Sequence, residues 1–251
     1  MKQTIGQHTF IYNGMNSLDY GLTTSGEDTW TRPKPDVRRI QVPGRNGDLI
    51  QLGNRFDNVD IKYKCGIIKD LQKNFDAFNA RLLKEPGYHR LEDSYHPQHF
   101  RMAVFESALD PEVMYKALSG QVEISFNCKP QMFLKSGEQE IGCSNGAILY
   151  NPTDYPSQPV IRFSPSSSSG SGHITINDVT ISFSAVGVAG VTDTILDCER
   201  QDIYTVSTKA NRNNYFVLED GEFFTLNPGR NTISYSGLSG TPYIKPCWWT
   251  V

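Results

Sequence analysis

His173-Ile174-Thr175-Ile176-Asn177-Asp178-Val179-Thr180-Ile181-Ser182-Phe183 alternates apolar and polar residues about an Asn-Asp pair. Successive side chains of a strand point to opposite faces, so a period of two marks a half-buried strand. A two-residue turn at Asn177-Asp178 sets Ile176 against Val179 and Ile174 against Ile181, which puts four apolar side chains on one face. Thr175 and Thr180 then share the other face, and a slip of one residue would scatter both sets. The segment reads as a β-hairpin whose apolar face needs a second layer, because a lone ribbon of two strands is marginal in water.

Outward from this hairpin the texture is uniform. After Pro130 the chain is rich in Gly, Asn, Ser and Pro with short apolar runs, and helical periodicity does not recur. A second hairpin is expected at Asp220-Gly221, joining Tyr215-Phe216-Val217-Leu218-Glu219 to Glu222-Phe223-Phe224-Thr225-Leu226. Its arms are apolar on both faces, as in the inner strands of a two-sheet stack. Ser164 to Gly172 reads as a mobile loop within this half and not as an interdomain linker, since the flanking strands Val160 to Phe163 and the Ile174 hairpin could not bury a face separately. Many short strands with turn signals between them predict a β-sandwich or jelly roll. Trp248 and Trp249, beside Pro246 and Cys247, are expected to dock structurally, one ring on each side of a sheet, in preference to forming a sugar-stacking platform.

The first half is organised differently. Short strands and turns run to about Arg32, and Arg32-Pro33-Lys34-Pro35 is an extended break. From Val37 to Leu52 two strand-like runs flank Pro43-Gly44-Arg45-Asn46-Gly47-Asp48. Asn46-Gly47 predicts the tight turn of a long projecting hairpin. The one convincing helix follows: Leu71, Phe75, Phe78 and Leu82 share a face, Asp70 stands where an N-cap would, and Pro86-Gly87 ends the run. Phe100 to Phe105 and Gln121 to Phe126 return to strand character, with Val122, Ile124 and Phe126 alternating.

The 251 residues allow two domains with real cores. Lys and Arg total 24 against 27 Asp and Glu, and 38% of residues are hydrophobic, so the chain reads as a globular protein without a basic platform for nucleic acid. The first residues lack a secretory apolar run and no stretch approaches a membrane helix, so the expectation is a chain made and kept in a cytoplasm. Five cysteines without a CxxC spacing are expected to be free, mostly buried thiols. His89, His96 and His99 could be metal ligands, but a solvated or hydrogen-bonded turn outweighs a zinc site, and no metal is assigned. Candidate acid pairs for glycoside chemistry (Asp197 with Glu199, Asp202, Glu219 with Glu222, Glu106 with Asp110) each have an ordinary explanation. Glu219 and Glu222 would flank a solvated turn, and Asp197-Cys198-Glu199 would end a strand with its acids exposed. A Gly-rich phosphate loop, a GxSxG elbow and HExxH are all missing, which argues against an enzyme and assigns no catalytic residue and no cofactor.

In several places along most of its length the sequence resembles the distal tail proteins of siphophages. The segments are Pro43 to Leu49, the family's glycine-rich hairpin; Arg90-Leu91-Glu92-Asp93-Ser94-Tyr95-His96-Pro97 after the helix; and Phe126 to Phe133, closing the first domain. They continue with Asn151-Pro152-Thr153-Asp154-Tyr155-Pro156-Ser157-Gln158-Pro159-Val160-Ile161, entering the second domain, then Asn227-Pro228-Gly229-Arg230-Asn231-Thr232-Ile233-Ser234 and Pro246 to Val251. The pattern departs at Cys247, where an Arg is expected before the Trp pair, and in the Ser-rich loop.

The resemblance implies a mainly β protein. An N-terminal sheet domain, 1–133, would carry one helix and a projecting hairpin, and a galectin-like β-sandwich, 134–251, would follow, with about 244–251 able to return to the first domain. It further implies a homo-hexameric ring with Pro43, Gly44, Arg45, Asn46, Gly47 and Asp48 at the subunit interface. Such a ring would join the tail tube and tape measure proteins to tail-tip, baseplate and receptor-binding proteins in the virion. DNA would pass its lumen without specific binding, no membrane would be involved, and assembly would take place in the host cytoplasm. A carbohydrate-binding module touching the host envelope is the alternative.

Overall fold

The computed structural model describes residues 8–67, 70–84, 86–114, 119–166, 171–184 and 193–251. Residues 167–170, the centre of the Ser-rich loop, lie outside the described residues. The chain divides into two compact units, one running to Met132 and taking in Val251, the other spanning Phe133–Thr250.

The first unit contains β1 (Phe10–Tyr12), β2 (Met15–Asn16), β3 (Leu22–Ser25), β4 (Pro35–Ile40), β5 (Leu49–Phe56) and β6 (Val59–Ile67). After these come α1 (Leu71–Leu82), β7 (His89–Asp93), β8 (His99–Phe105), β9 (Glu112–Met114) and most of β10 (Ser119–Leu134). The main sheet has the order β2-β1-β7-β8-β10-β6-β3, with β9 also on β10. Strict alternation along β6 buries Val59, Ile61, Tyr63, Cys65 and Ile67 and sends Lys62 and Lys64 outward. Phe78 of α1, fully buried, meets Phe10 of β1 at 6.2 Å between ring centres, so the helix covers this sheet face. Burial of each such side chain is worth roughly 1.5–3 kcal/mol. Asp70 occupies the N-cap position, yet its side chain makes no cap bond. Its backbone is left-handed (φ 50°), whereas side-chain capping needs an extended residue.

β4 and β5 form a separate two-stranded sheet. The expected tight turn at Asn46-Gly47 is not how they are joined: the strands stop at Ile40 and Leu49, and a wide loop connects them. The hydrogen-bonded turn is at Pro43-Gly44, where Arg45 N donates to Val42 O (3.2 Å) and Gly44 has φ 77°. Proline at the second and glycine at the third position of such a turn outcompete Asn-Gly because both torsions are already suited to it.

The second unit stacks two five-stranded sheets. One has the order β11 (Ile141–Gly142), β20 (Tyr243–Lys245), β13 (Val160–Phe163), β16 (Thr194–Asp197), β17 (Asp202–Thr205). The other runs β12 (Ala147–Asn151), β19 (Gly229–Ser236), β14 (Ser171–Ile176), β15 (Val179–Ser184), β18 (Phe216–Leu218). A terminal β21 (Trp249–Thr250) ends the unit. Ile161, Phe163, Leu196 and Ile244 from the first sheet share one core with Ile174, Ile181, Phe183 and Ile233 from the second, which makes a β-sandwich. The Asn177-Asp178 hairpin has the register read from its sequence, with Ile176 opposite Val179, Ile174 opposite Ile181 and Thr175 opposite Thr180.

The expected second hairpin does not form. The chain turns at Leu218–Gly221, but β18 pairs with β15 at the sheet edge, while Phe224 and Leu226 leave it for the core and Leu226 bridges Ser157. An arm apolar on both faces gains more by entering the sandwich than by lining an edge.

Candidate functional site

The β4–β5 ribbon is the most unusual surface of the first unit. Its register places Val37 opposite Leu52 and Arg39 opposite Ile50, so those four side chains share one face, and Ile40 and Leu49 meet on the other. Leu52 is 63% exposed, Ile50 52% and Leu49 46%. β-Branched and apolar residues normally occupy strands because one face is buried. Here neither face is buried, and Arg38 and Arg39 add cationic character. The base is held by Asp57 N donating to Lys34 O (3.1 Å) and by Arg55, whose guanidinium reaches Asp36 (3.2 Å) and Asp57 (3.0 Å).

Pro43, Gly44, Arg45, Asn46, Gly47 and Asp48 all lie exposed in the loop at the tip. The apolar residues on the arms, Val37, Ile50 and Leu52, were not singled out by sequence reasoning. Their alternation resembles that of any half-buried strand, and only the lack of a covering layer marks them.

Around the histidines the chain is organised by Asp93. Its carboxylate accepts from Tyr63 OH (2.9 Å), the backbone N–H of Tyr95 (3.0 Å) and that of His96 (2.7 Å), and its Oδ1 lies 3.0 Å from His96 Nδ1. His96 is buried beneath Trp30, with 4.4 Å between ring centres. His89 instead meets the edge of Tyr12, and burial lowers the pKa of His99. Among the described residues no group of three or more His, Cys, Asp and Glu is placed to hold a metal ion.

The acids weighed for catalysis are dispersed. Asp197 is not exposed as expected: it is buried, accepts the backbone N–H of Arg200 (3.0 Å) and pairs with that residue's guanidinium (3.6 Å), because the turn after β16 folds over it. Glu219 bonds Ser182 Oγ, and Asp220 accepts the N–H of Thr180 (3.2 Å). An open polar groove of about 660 Å³ on the first unit includes Glu27, Lys64, Glu112 and Glu123. There Lys64 pairs with Glu27 (2.9 Å), and Glu123 pairs with Lys62 (2.8 Å).

The carboxy-terminal segment is tied into the second unit. Trp248 is buried in the core and its carbonyl accepts from Leu134 N (2.9 Å). Trp249 stacks on Tyr155 (4.6 Å) and donates its indole N–H to Pro156 O (2.9 Å). Asn151 and Asn231, one in each of the two Asn-Pro segments, are buried polar pins. Asn151 donates to Tyr155 O and Leu226 O, and Asn231 donates to Asn227 O (2.8 Å) while accepting from Asn227 N (2.8 Å) and Asn177 Nδ2 (2.9 Å). Tertiary burial explains why amides are needed there, since each donor and acceptor is matched.

No protein-family model matches this chain, and no curated protein matches it. Its architecture does match solved structures. SPP1 Dit (gp 19.1), described as a paradigm of the hub adsorption apparatus in phages infecting Gram-positive bacteria, aligns with a TM-score of 0.74 at 14% identity, covering 94% of this chain and 97% of that one. A chain of the phage P2 baseplate in its activated conformation with Ca aligns at 0.59 and 10% identity, covering 94% and 97%. The corresponding structure with Sr aligns at 0.59 and 10% identity, covering 95% and 98%. The chain therefore has the fold found in these phage tail hub and baseplate proteins, along nearly its whole length.

Proposed function

We propose that this chain is a structural virion protein of a long phage tail, a hub at the distal end that assembles as a homo-hexameric ring. The observation that carries this reading is the β4–β5 ribbon, with Val37, Ile50 and Leu52 exposed on a two-stranded sheet that is marginal alone. A ribbon laid on the next copy is a head-to-tail contact, and six such contacts close if the rotation per subunit is one sixth of a turn. The fold likeness supports a position between the tail tube and tape measure proteins on one side and tail-tip, baseplate and receptor-binding proteins on the other. In this reading the first unit forms the ring, the sandwich faces outward, and the protein is not an enzyme. DNA passes the lumen without being held, in keeping with 24 basic against 27 acidic residues. Assembly takes place in the host cytoplasm.

Negative-stain electron microscopy of the purified chain tests this, with six-fold rings expected. Monomers alone at micromolar concentration, by imaging and light scattering, would overturn it.

One observation favours a second reading, carbohydrate binding by the sandwich. Tyr150, 68% exposed, stands across from Arg230 on the outer face of its sheet. An exposed ring beside a hydrogen-bonding side chain suits a sugar face. A glycan array decides it: no binding would leave the sandwich a scaffold.

A further inference from the structure

Arg101 lies on the inward face of β8, opposite Leu91 of β7, and is 5% exposed. Neither of its Nη atoms has a hydrogen-bond partner, and both are buried. Charged side chains are almost never buried without compensation, because an unpaired ion loses its hydration and gains nothing in return. Asp93 lines the same pocket and its charge acts on Arg101, yet no hydrogen bond or ion pair joins the two. Asp93 already accepts from Tyr63 and from the backbone N–H groups of Tyr95 and His96, and it sits against His96 Nδ1.

Arg101 lines a small pocket together with Tyr63, Asp93, His96 and His99, and the pocket has about 10 Å³ of free volume. His96, 8% exposed, contributes a second orphan: its Nε2 is buried and lacks a partner. Arg32 adds positive potential nearby, and burial draws the pKa of Arg101 below its ordinary value although Asp93 acts in the opposite direction. The pocket thus has three nitrogen atoms without partners, two of them on a buried guanidinium, with the positive potential of Arg32 beside them and space for about one small occupant.

We propose that this pocket holds a monatomic anion, chloride in ordinary buffers, seated against the Arg101 guanidinium. A carboxylate or phosphate needs more room than the pocket offers. A water molecule would satisfy a hydrogen bond but bring no negative charge to the guanidinium. The anion would lock β8 to the Asp93–His99 turn.

The test is thermal unfolding of the full chain at constant ionic strength in sodium chloride, sodium bromide or sodium gluconate. Saturating halide should raise Tm by about 2–4 °C over gluconate, and the shift should vanish in Arg101→Met. Equal Tm values in halide and gluconate would sink the proposal. Because Arg101→Met could fail to fold, crystals of the unaltered chain grown in bromide give an independent answer. An anomalous peak in contact with the Arg101 Nη atoms supports the site, and a water molecule or no density there rejects it.

Discussion

Gly137 is a glycine because the carboxy-terminal segment crosses directly over it. A Cβ built there would lie 2.5 Å from the backbone nitrogen of Trp248, and Cys247 N donates to Gly137 O at 2.8 Å. The obstruction is backbone, which cannot rotate away, so Gly137→Ala should destabilise the second unit by about 1–3 kcal/mol. Urea unfolding monitored by Trp fluorescence checks this, and an unchanged midpoint would contradict the packing argument. The thiols make a second prediction at this scale. Burial pushes Cys65 and Cys128 up to about 12, Cys247 up to about 11, and Cys198 higher still. Since the thiolate is the reactive form, all should be slow toward Ellman's reagent at pH 8 in the native chain, and all five should react after denaturation. A raised pKa means that reactivity grows only as pH climbs toward those values, so fast native labelling at pH 8 would show the thiols to be less enclosed than described.

At the scale of elements, α1 and the β4–β5 ribbon are opposites. The helix buries Phe78 and Leu82 and packs Phe75 against the same core: Phe78→Ala removes a ring enclosed by Phe10 and Tyr20 and should cost about 3–5 kcal/mol in denaturant unfolding of the first unit. The ribbon has apolar faces that its own unit leaves unused. Ile50→Asp with Leu52→Asp should therefore leave circular dichroism and Tm nearly unchanged. The same pair should weaken self-association more than about 10-fold, since each buried apolar side chain contributes roughly 1.5–3 kcal/mol. Sedimentation of the variant against the parent measures this. A variant that unfolds instead would mean the ribbon packs on its own unit.

For the molecule as a whole, the proposed ring has a solution signature. Light scattering should give the mass of six 28.2 kDa chains. If apolar ribbon contacts hold the ring, added sulfate should strengthen it and moderate sodium chloride should do little, because ion-pair contacts are screened by salt and apolar ones are not. Dissociation on raising sodium chloride would shift the main contacts from the apolar side chains to Arg38, Arg39 and Arg45. Such a result would retain the ring and reject the ribbon's apolar residues as its main contacts.

How far residues alone went depended on whether the deciding interactions were local. The hairpin at Asn177-Asp178 was fixed by its own alternation, with every apolar pair in register, and α1 was marked by Phe75, Phe78 and Leu82 sharing one face. The ordered segments from Pro43 to the terminal Trp pair pointed to the phage tail fold that the structure then matched. Tertiary structure decided what depends on partners distant in sequence. Residues 222–226 abandon their hairpin because Phe224 and Leu226 have a core to enter, and Asp197 is buried because its own turn closes over it. Val37, Ile50 and Leu52 are exposed because no layer reaches them. Arg101 is legible in sequence only as one more cation in a strand; its burial without a partner exists only once β7, β8 and the Asp93–His99 turn have come together.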